Sequence, residues 1–100
     1  MKFGLTQNEY DYLQEELVIP LKEIGANVWI FGSRARGDHK KFSDIDILVE
    51  SHDKNINSLL SSIREKFEEG NFPYKIDLLL IEDLAQSYKD SVLEDRIRLK

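Results

Sequence analysis

The segment from Val28 to Glu50, V-W-I-F-G-S-R-A-R-G-D-H-K-K-F-S-D-I-D-I-L-V-E, constrains this chain more than any other. A short apolar run ends at Gly32, a basic stretch follows, and then Ile45, Ile47 and Val49 alternate with Asp44, Asp46 and Leu48. Successive side chains of a strand point to opposite faces, so this period of two predicts a strand with both aspartates on one face. Neighbouring carboxylates on a largely apolar strand repel one another and resist desolvation, and a cation relieves both costs. Hard oxygen donors in that arrangement suit magnesium. Just upstream, Gly32 and Ser33 follow directly on a strand, where backbone N–H groups and a hydroxyl can meet phosphate oxygens with no side chain in the way. One stretch therefore offers a phosphate cradle and a metal site together.

The length of 100 residues predicts a single domain, residues 1–100, with one modest core and no room for a separate substrate domain. With 41% hydrophobic and 33% charged residues the composition is that of a soluble globular protein, and no apolar run approaches the ~20 residues that cross a membrane. The first residues lack the apolar core of a signal peptide. Cysteine is absent, which disfavours zinc and a disulfide framework and makes the cytoplasm the default location. A net charge of -5 argues against broad nucleic-acid binding, so template-guided polymerisation is not expected. The local exception is basic: Arg34, Arg36, Lys40 and Lys41 are opposed only by Asp38. Beside a phosphate-binding turn, at least one of these arginines is expected to contact a triphosphate.

Taken in order, Thr6 and Glu9 form a capping box, with Leu5 and Tyr10 as its hydrophobic staple. The helix it starts carries Tyr10, Leu13, Leu17, Leu21 and Ile24 at helical spacing and closes at Gly25, while Pro20 predicts a kink or an interruption. Tyr10, Tyr12 and Trp29 read as packing rather than base-stacking residues. Val28 to Phe31 has no polar face, which suggests burial on both sides. Ser33 to Gly37, bounded by glycines, is expected to make a helical turn whose N-terminus faces bound phosphates. Asp38 to Phe42 reads as an exposed loop, and His39 and His52 as solvated surface. Asp53 or Asn55 can cap a helix bearing Ile56, Leu59, Leu60, Ile63 and Phe67, ended by Gly70. Tyr74 to Ile81 is a third strand containing Asp77, which on its own reads as a strand-edge charge. Glu82 and Asp83 favour a last helix to about Asp90, with Leu84, Tyr88 and Val92 on one face. Glu94 to Lys100 continues that helix or forms a short extended segment. The order of elements implies a small α/β domain with a mixed sheet covered by helices.

The pattern G-S-x-A-R-G, five residues, then S-D-x-D, carried by Gly32, Ser33, Ala35, Arg36, Gly37, Ser43, Asp44 and Asp46, resembles the signature of the nucleotidyltransferase superfamily related to DNA polymerase beta. Eight specified positions make a chance match on the order of one in a billion per starting point. Within the superfamily the chain is most similar to the minimal nucleotidyltransferase (MNT) antitoxins encoded beside HEPN toxins. The resemblance implies the nucleotidyltransferase fold, α/β in the α+β sense, and a third ligand on the neighbouring strand, which selects Asp77. It also implies two magnesium ions, one on Asp44 and Asp46 against the triphosphate and the other on all three aspartates against the acceptor hydroxyl. Gly32, Ser33 and Ser43 become nucleotide-binding positions, and Arg36, which the motif specifies, is preferred to Arg34 for stabilising charge. The activity implied is transfer of AMP from ATP to a tyrosine of a cognate HEPN ribonuclease toxin. The alternatives are nucleotidylation of a small molecule such as an aminoglycoside, and an antitoxin or scaffold acting by binding with the motif idle.

Overall fold

In the computed structural model, which describes residues 2–100, the first helix starts on the expected capping box. Glu9 N–H donates to Thr6 Oγ1 at 3.2 Å, and Thr6 N–H donates to Glu9 Oε1 at 2.8 Å. Helix α1 (Gln7–Leu13) runs through a π-helical turn, Gln14–Val18, into α2 (Ile19–Glu23). Pro20 has no N–H to return to the previous turn, and the expected interruption falls in the widened turn just before it. Ala26 N–H then donates back to Leu21 C=O at 3.0 Å and Gly25 N–H to Lys22 C=O at 2.9 Å, closing the helix with the pair of hydrogen bonds characteristic of a glycine C-cap.

Strands β1 (Asn27–Phe31), β2 (Ile45–Glu50), β3 (Ile76–Leu80) and β4 (Ile97–Arg98) form one sheet in the order β3-β2-β1-β4. β1 is antiparallel to β2 and β4, while β2 and β3 are parallel, so the sheet is mixed, as expected. The parallel pair needs a crossover, supplied by α4 (Ile56–Glu69). Val28, Ile30, Ile45, Ile47, Val49, Leu78 and Leu80 pack with Leu13, Leu17 and Leu21 of the first helical segment and Leu60, Ile63 and Phe67 of α4. On the opposite face Trp29, Phe31 and Leu48 meet Val92 of α5 (Gln86–Asp95), with Ile81, Leu84 and Leu93 at the margin. β1 is therefore buried on both sides, as its uninterrupted apolar run implies. No helix among the described residues is long and apolar enough to cross a membrane.

The C-terminal third departs from the sequence expectation in two places and decides a third that the sequence left open. β3 is shorter than Tyr74–Ile81, because Tyr74 lies before the ladder and presents its ring to Arg34. The last helix does not begin at Glu82: Ile81–Asp83 make a single 3-10 turn, Leu84 is extended (φ -72, ψ 133), and α5 starts at Gln86. This later start rotates the buried face, so Val92 and Leu93 pack while Tyr88 is exposed. The tail is extended: β4 pairs with β1, Leu99 N–H donates to Val28 C=O at 2.9 Å, and the Leu99 side chain joins the main core. Leu99→Ala should accordingly lose about 2–4 kcal/mol in urea unfolding, whereas Ile97→Ala, on the same side of the strand but 42% exposed, should lose less than about 1 kcal/mol.

Candidate functional site

β1 ends at Phe31, which lies opposite Asp46 in the antiparallel register, and Gly32 turns the chain into α3 (Ser33–Arg36). Gly32 has φ +76 and ψ -156, and a Cβ there would collide with Asp46 Oδ2. Only glycine lets the carboxylate lie against this backbone. On the other side of β2, the parallel register sets Asp46 directly beside Asp77, as it sets Leu48 beside Leu79. Asp46 and Asp77 thus continue the α5-side face of the sheet, past the end of its apolar cover. Gly32, Asp46 and Asp77, chosen from the sequence for separate reasons, meet in one place.

Asp44 is on the same face by alternation but is exposed and precedes the first ladder position of β2. Its charge nevertheless reaches Asp46, whose carboxyl is pushed up to about 6 by burial first, then by the charges of Asp77 and Asp44 and a hydrogen bond with Asp77, against the opposing pull of Arg36. Among the described residues no three His, Cys, Asp or Glu side chains are already converged as a metal site. What the fold supplies is a half-buried pair of carboxylates forced together by strand register, with a third at the mouth of the strand. A hard divalent cation fits that donor set, since it would offset the mutual repulsion of the carboxylates.

The two arginines of α3, Arg34 and the motif's Arg36, have different surroundings. Arg36 is exposed, donating through Nε to Asp38 Oδ2 at 3.2 Å and through Nη1 to Asp95 Oδ2 at 3.0 Å. Arg34 is only 2% exposed and donates to backbone carbonyls, so it is not available to a triphosphate. Of the two, Arg36 remains for that contact. Asp95 was not singled out in the sequence, and no local signal could have done so, because it meets Arg36 across 59 positions of chain. Ser33 is the first residue of α3, and its carbonyl accepts from Gly37 and Asp38 N–H. Ser43 is engaged within the loop: its Oγ accepts from Lys40 N–H at 2.8 Å. His39 corrects the expectation of a solvated side chain. It packs against Gly4, where a Cβ would collide with Nε2, and its buried Nδ1 has no partner among the described residues. His52 is exposed, as expected.

The raised pKa of Asp46 fixes the sign of a stability effect. Folding disfavours the charged carboxylate, so the penalty is absent below the ordinary value of 3.8, grows as pH rises towards about 6, and is complete above it. In metal-free buffer, Asp46→Asn should therefore melt about 4 °C or more above the wild type at pH 8, and the difference should vanish near pH 4. A melt series across that range is the measurement, and a difference that grows towards acid pH would contradict the assignment.

The model of the Nucleotidyltransferase domain family matches residues 12–99. Over 65 residues the chain is 31% identical to a Haemophilus influenzae protein named as a protein adenylyltransferase, MntA, covering 65% of this chain and 57% of that protein. It is 36% identical over 76 residues to the protein adenylyltransferase MntA of Thermococcus cleftensis, covering 75% of this chain and 71% of that protein. Among solved structures, a candidate minimal nucleotidyltransferase superposes with a TM-score of 0.73 at 25% identity, over 95% of this chain and 97% of that one. A toxin–antitoxin structure with AMP-PNP superposes with a TM-score of 0.66 at 20% identity, over 87% and 72% respectively, and shares the fold. With residues 12–99 matched by the family model, with the fold of minimal nucleotidyltransferases and with Gly32, Asp46 and Asp77 gathered at one end of the sheet, the chain belongs to the nucleotidyltransferase domain family.

Proposed function

We propose that this chain transfers AMP from ATP to a hydroxyl, a tyrosine by preference, of a cognate HEPN toxin, and that this modification is how it acts as an antitoxin. The observation that carries the reading is the Asp46–Asp77 pair set by strand register directly against the Gly32 turn. The names of the relatives as protein adenylyltransferases support a protein acceptor, and the toxin–antitoxin neighbour with AMP-PNP supports ATP and a partner toxin.

In this reading Asp44, Asp46 and Asp77 hold magnesium, which when bound supplies charge for the phosphates and acidifies the acceptor hydroxyl. The rest of the work belongs to the chain. Gly32, lacking a Cβ, lets the triphosphate approach the backbone, and Ser33 adds a hydroxyl and an N–H at the start of α3. Ser43 shapes the loop that borders this cradle. Arg36, held by Asp38 and Asp95, retains Nη2 for an anionic oxygen. The acceptor oxygen forms a bond to the α phosphorus as the bond to the β phosphate oxygen breaks. The hydroxyl proton passes to solvent water, and pyrophosphate leaves.

The test is incubation with magnesium, each α-labelled nucleoside triphosphate in turn, and the product of the adjacent gene. Label is expected on that partner with ATP. Asp44→Asn and Asp46→Asn should each lower transfer by more than about 100-fold while remaining folded, because they remove charge and no apolar packing. Absence of label in any protein would return the motif to stoichiometric binding.

Asp77→Asn separates the steps. If Asp77 serves the acceptor side, transfer should fall by more than about 100-fold while nucleotide affinity changes by less than about fivefold. Normal turnover in this variant would reduce Asp77 to a strand-edge charge.

A further inference from the structure

Arg34 is the one charged or polar side chain that is fully buried among the described residues, and no carboxylate pairs with it there. A buried guanidinium without a counter-ion is an expensive way to fill space, since an apolar side chain of similar volume would pack without that cost. What a guanidinium adds is a rigid fork of donors and a flat face. Both are in use. Nε and Nη2 donate together to Ser43 C=O at 3.0 and 2.8 Å, Nη1 donates to Phe3 C=O at 2.8 Å, and the guanidinium lies 4.3 Å from the centroid of the Tyr74 ring.

The position of these contacts is more informative than their number. Ser43 C=O belongs to the peptide unit that begins Asp44, and the next N–H, that of Ile45, donates to Lys75 C=O at 2.9 Å. Asp44 therefore sits between two anchored peptide groups, one held by Arg34 and the other by the residue that follows Tyr74. Arg34 itself stands in α3, immediately after Ser33. One side chain thus joins the segment bearing Ser33, the loop that delivers Asp44, and the residues that lead into Asp77. On the far side Gly4, at φ +75, comes close enough that a Cβ would lie 2.9 Å from Arg34 Nη1, so the N-terminal turn closes the chamber.

We infer that Arg34 is a positioning residue of the site: it holds the peptide preceding Asp44 in register with α3 and with the start of β3, and so sets where the exposed third carboxylate stands relative to Asp46 and Asp77. The inference rests on the reading of these aspartates as magnesium ligands. It assigns Arg34 no contact with nucleotide.

The experiment is a magnesium titration of the ATP-induced rise in melting temperature, performed on wild type, Arg34→Lys and Arg34→Met. Lysine keeps the charge and loses the fork, while methionine keeps the volume alone. In both folded variants the magnesium concentration giving half of the shift should rise about tenfold or more, with the shift produced by ATP in EDTA unchanged, because the Gly32 turn is intact. A merely structural role would lower the melting temperature of the ligand-free protein and leave that midpoint in place. A midpoint within twofold of wild type in either folded variant overturns the inference, as does failure of both variants to fold, which would make Arg34 a folding residue. Failure of the underlying reading looks different: the wild type itself would then show the same shift with magnesium as with EDTA, and the inference would fall with it.

Discussion

Everything at the candidate site depends on β2 being hydrogen-bonded on both edges, antiparallel to β1 and parallel to β3. An antiparallel hairpin alone would have brought Asp46 opposite Phe31 and against Gly32, with water on the other side. The parallel ladder adds Asp77 at the same height, and in a parallel pair residues in register project to the same face. Two carboxylates then share a half-buried edge at a spacing set by the backbone, which side-chain rotation alone does not undo. The core enforces this register, because a slip of one residue would turn Ile45, Ile47 and Val49 out of the main core and drive the carboxylates into it.

That enforcement has an electrostatic consequence. Burial and the neighbouring carboxylates disfavour the charged form of Asp46 in the ligand-free protein, so the site is stabilised by whatever removes the repulsion. Arg36 supplies a little of that relief, but it is shared with Asp38 and Asp95. These exposed ion pairs contribute little to stability, and their significance lies in orientation. Apolar packing elsewhere carries the cost of a poised anionic site, the usual relation between a core and a functional edge.

The two arginines of α3 divide the work between solvent and interior. Arg36 faces out from the short turn and Arg34 faces in, and neighbouring positions on so short a helix must point in different directions. Their sequence context, glycine on either side and lysines close by, is the same for both. A basic cluster in the sequence therefore overstated the positive surface near the cradle, because one of its members is sealed beneath Tyr74 and the N-terminal turn.

Local physics was legible in the sequence wherever a single segment contained the whole cause. The capping box at Thr6, the alternation of β2, the apolar stripe of α4 and the glycine needed at position 32 each follow from neighbours within a few residues, and so does the shared face of Asp44 and Asp46. Asp77 was reachable only through the resemblance, since one carboxylate in an apolar strand has no signature of its own. Tertiary structure alone decided the rest: that the tail pairs with β1 as a fourth strand, that the last helix starts at Gln86, that His39 is packed against Gly4, that Arg34 is buried, and that Asp95 meets Arg36. The physical reason is common to all five. Each depends on partners far along the chain or on competition between alternative packings, and a short polar or mixed segment leaves those alternatives nearly equal in energy until the core has formed.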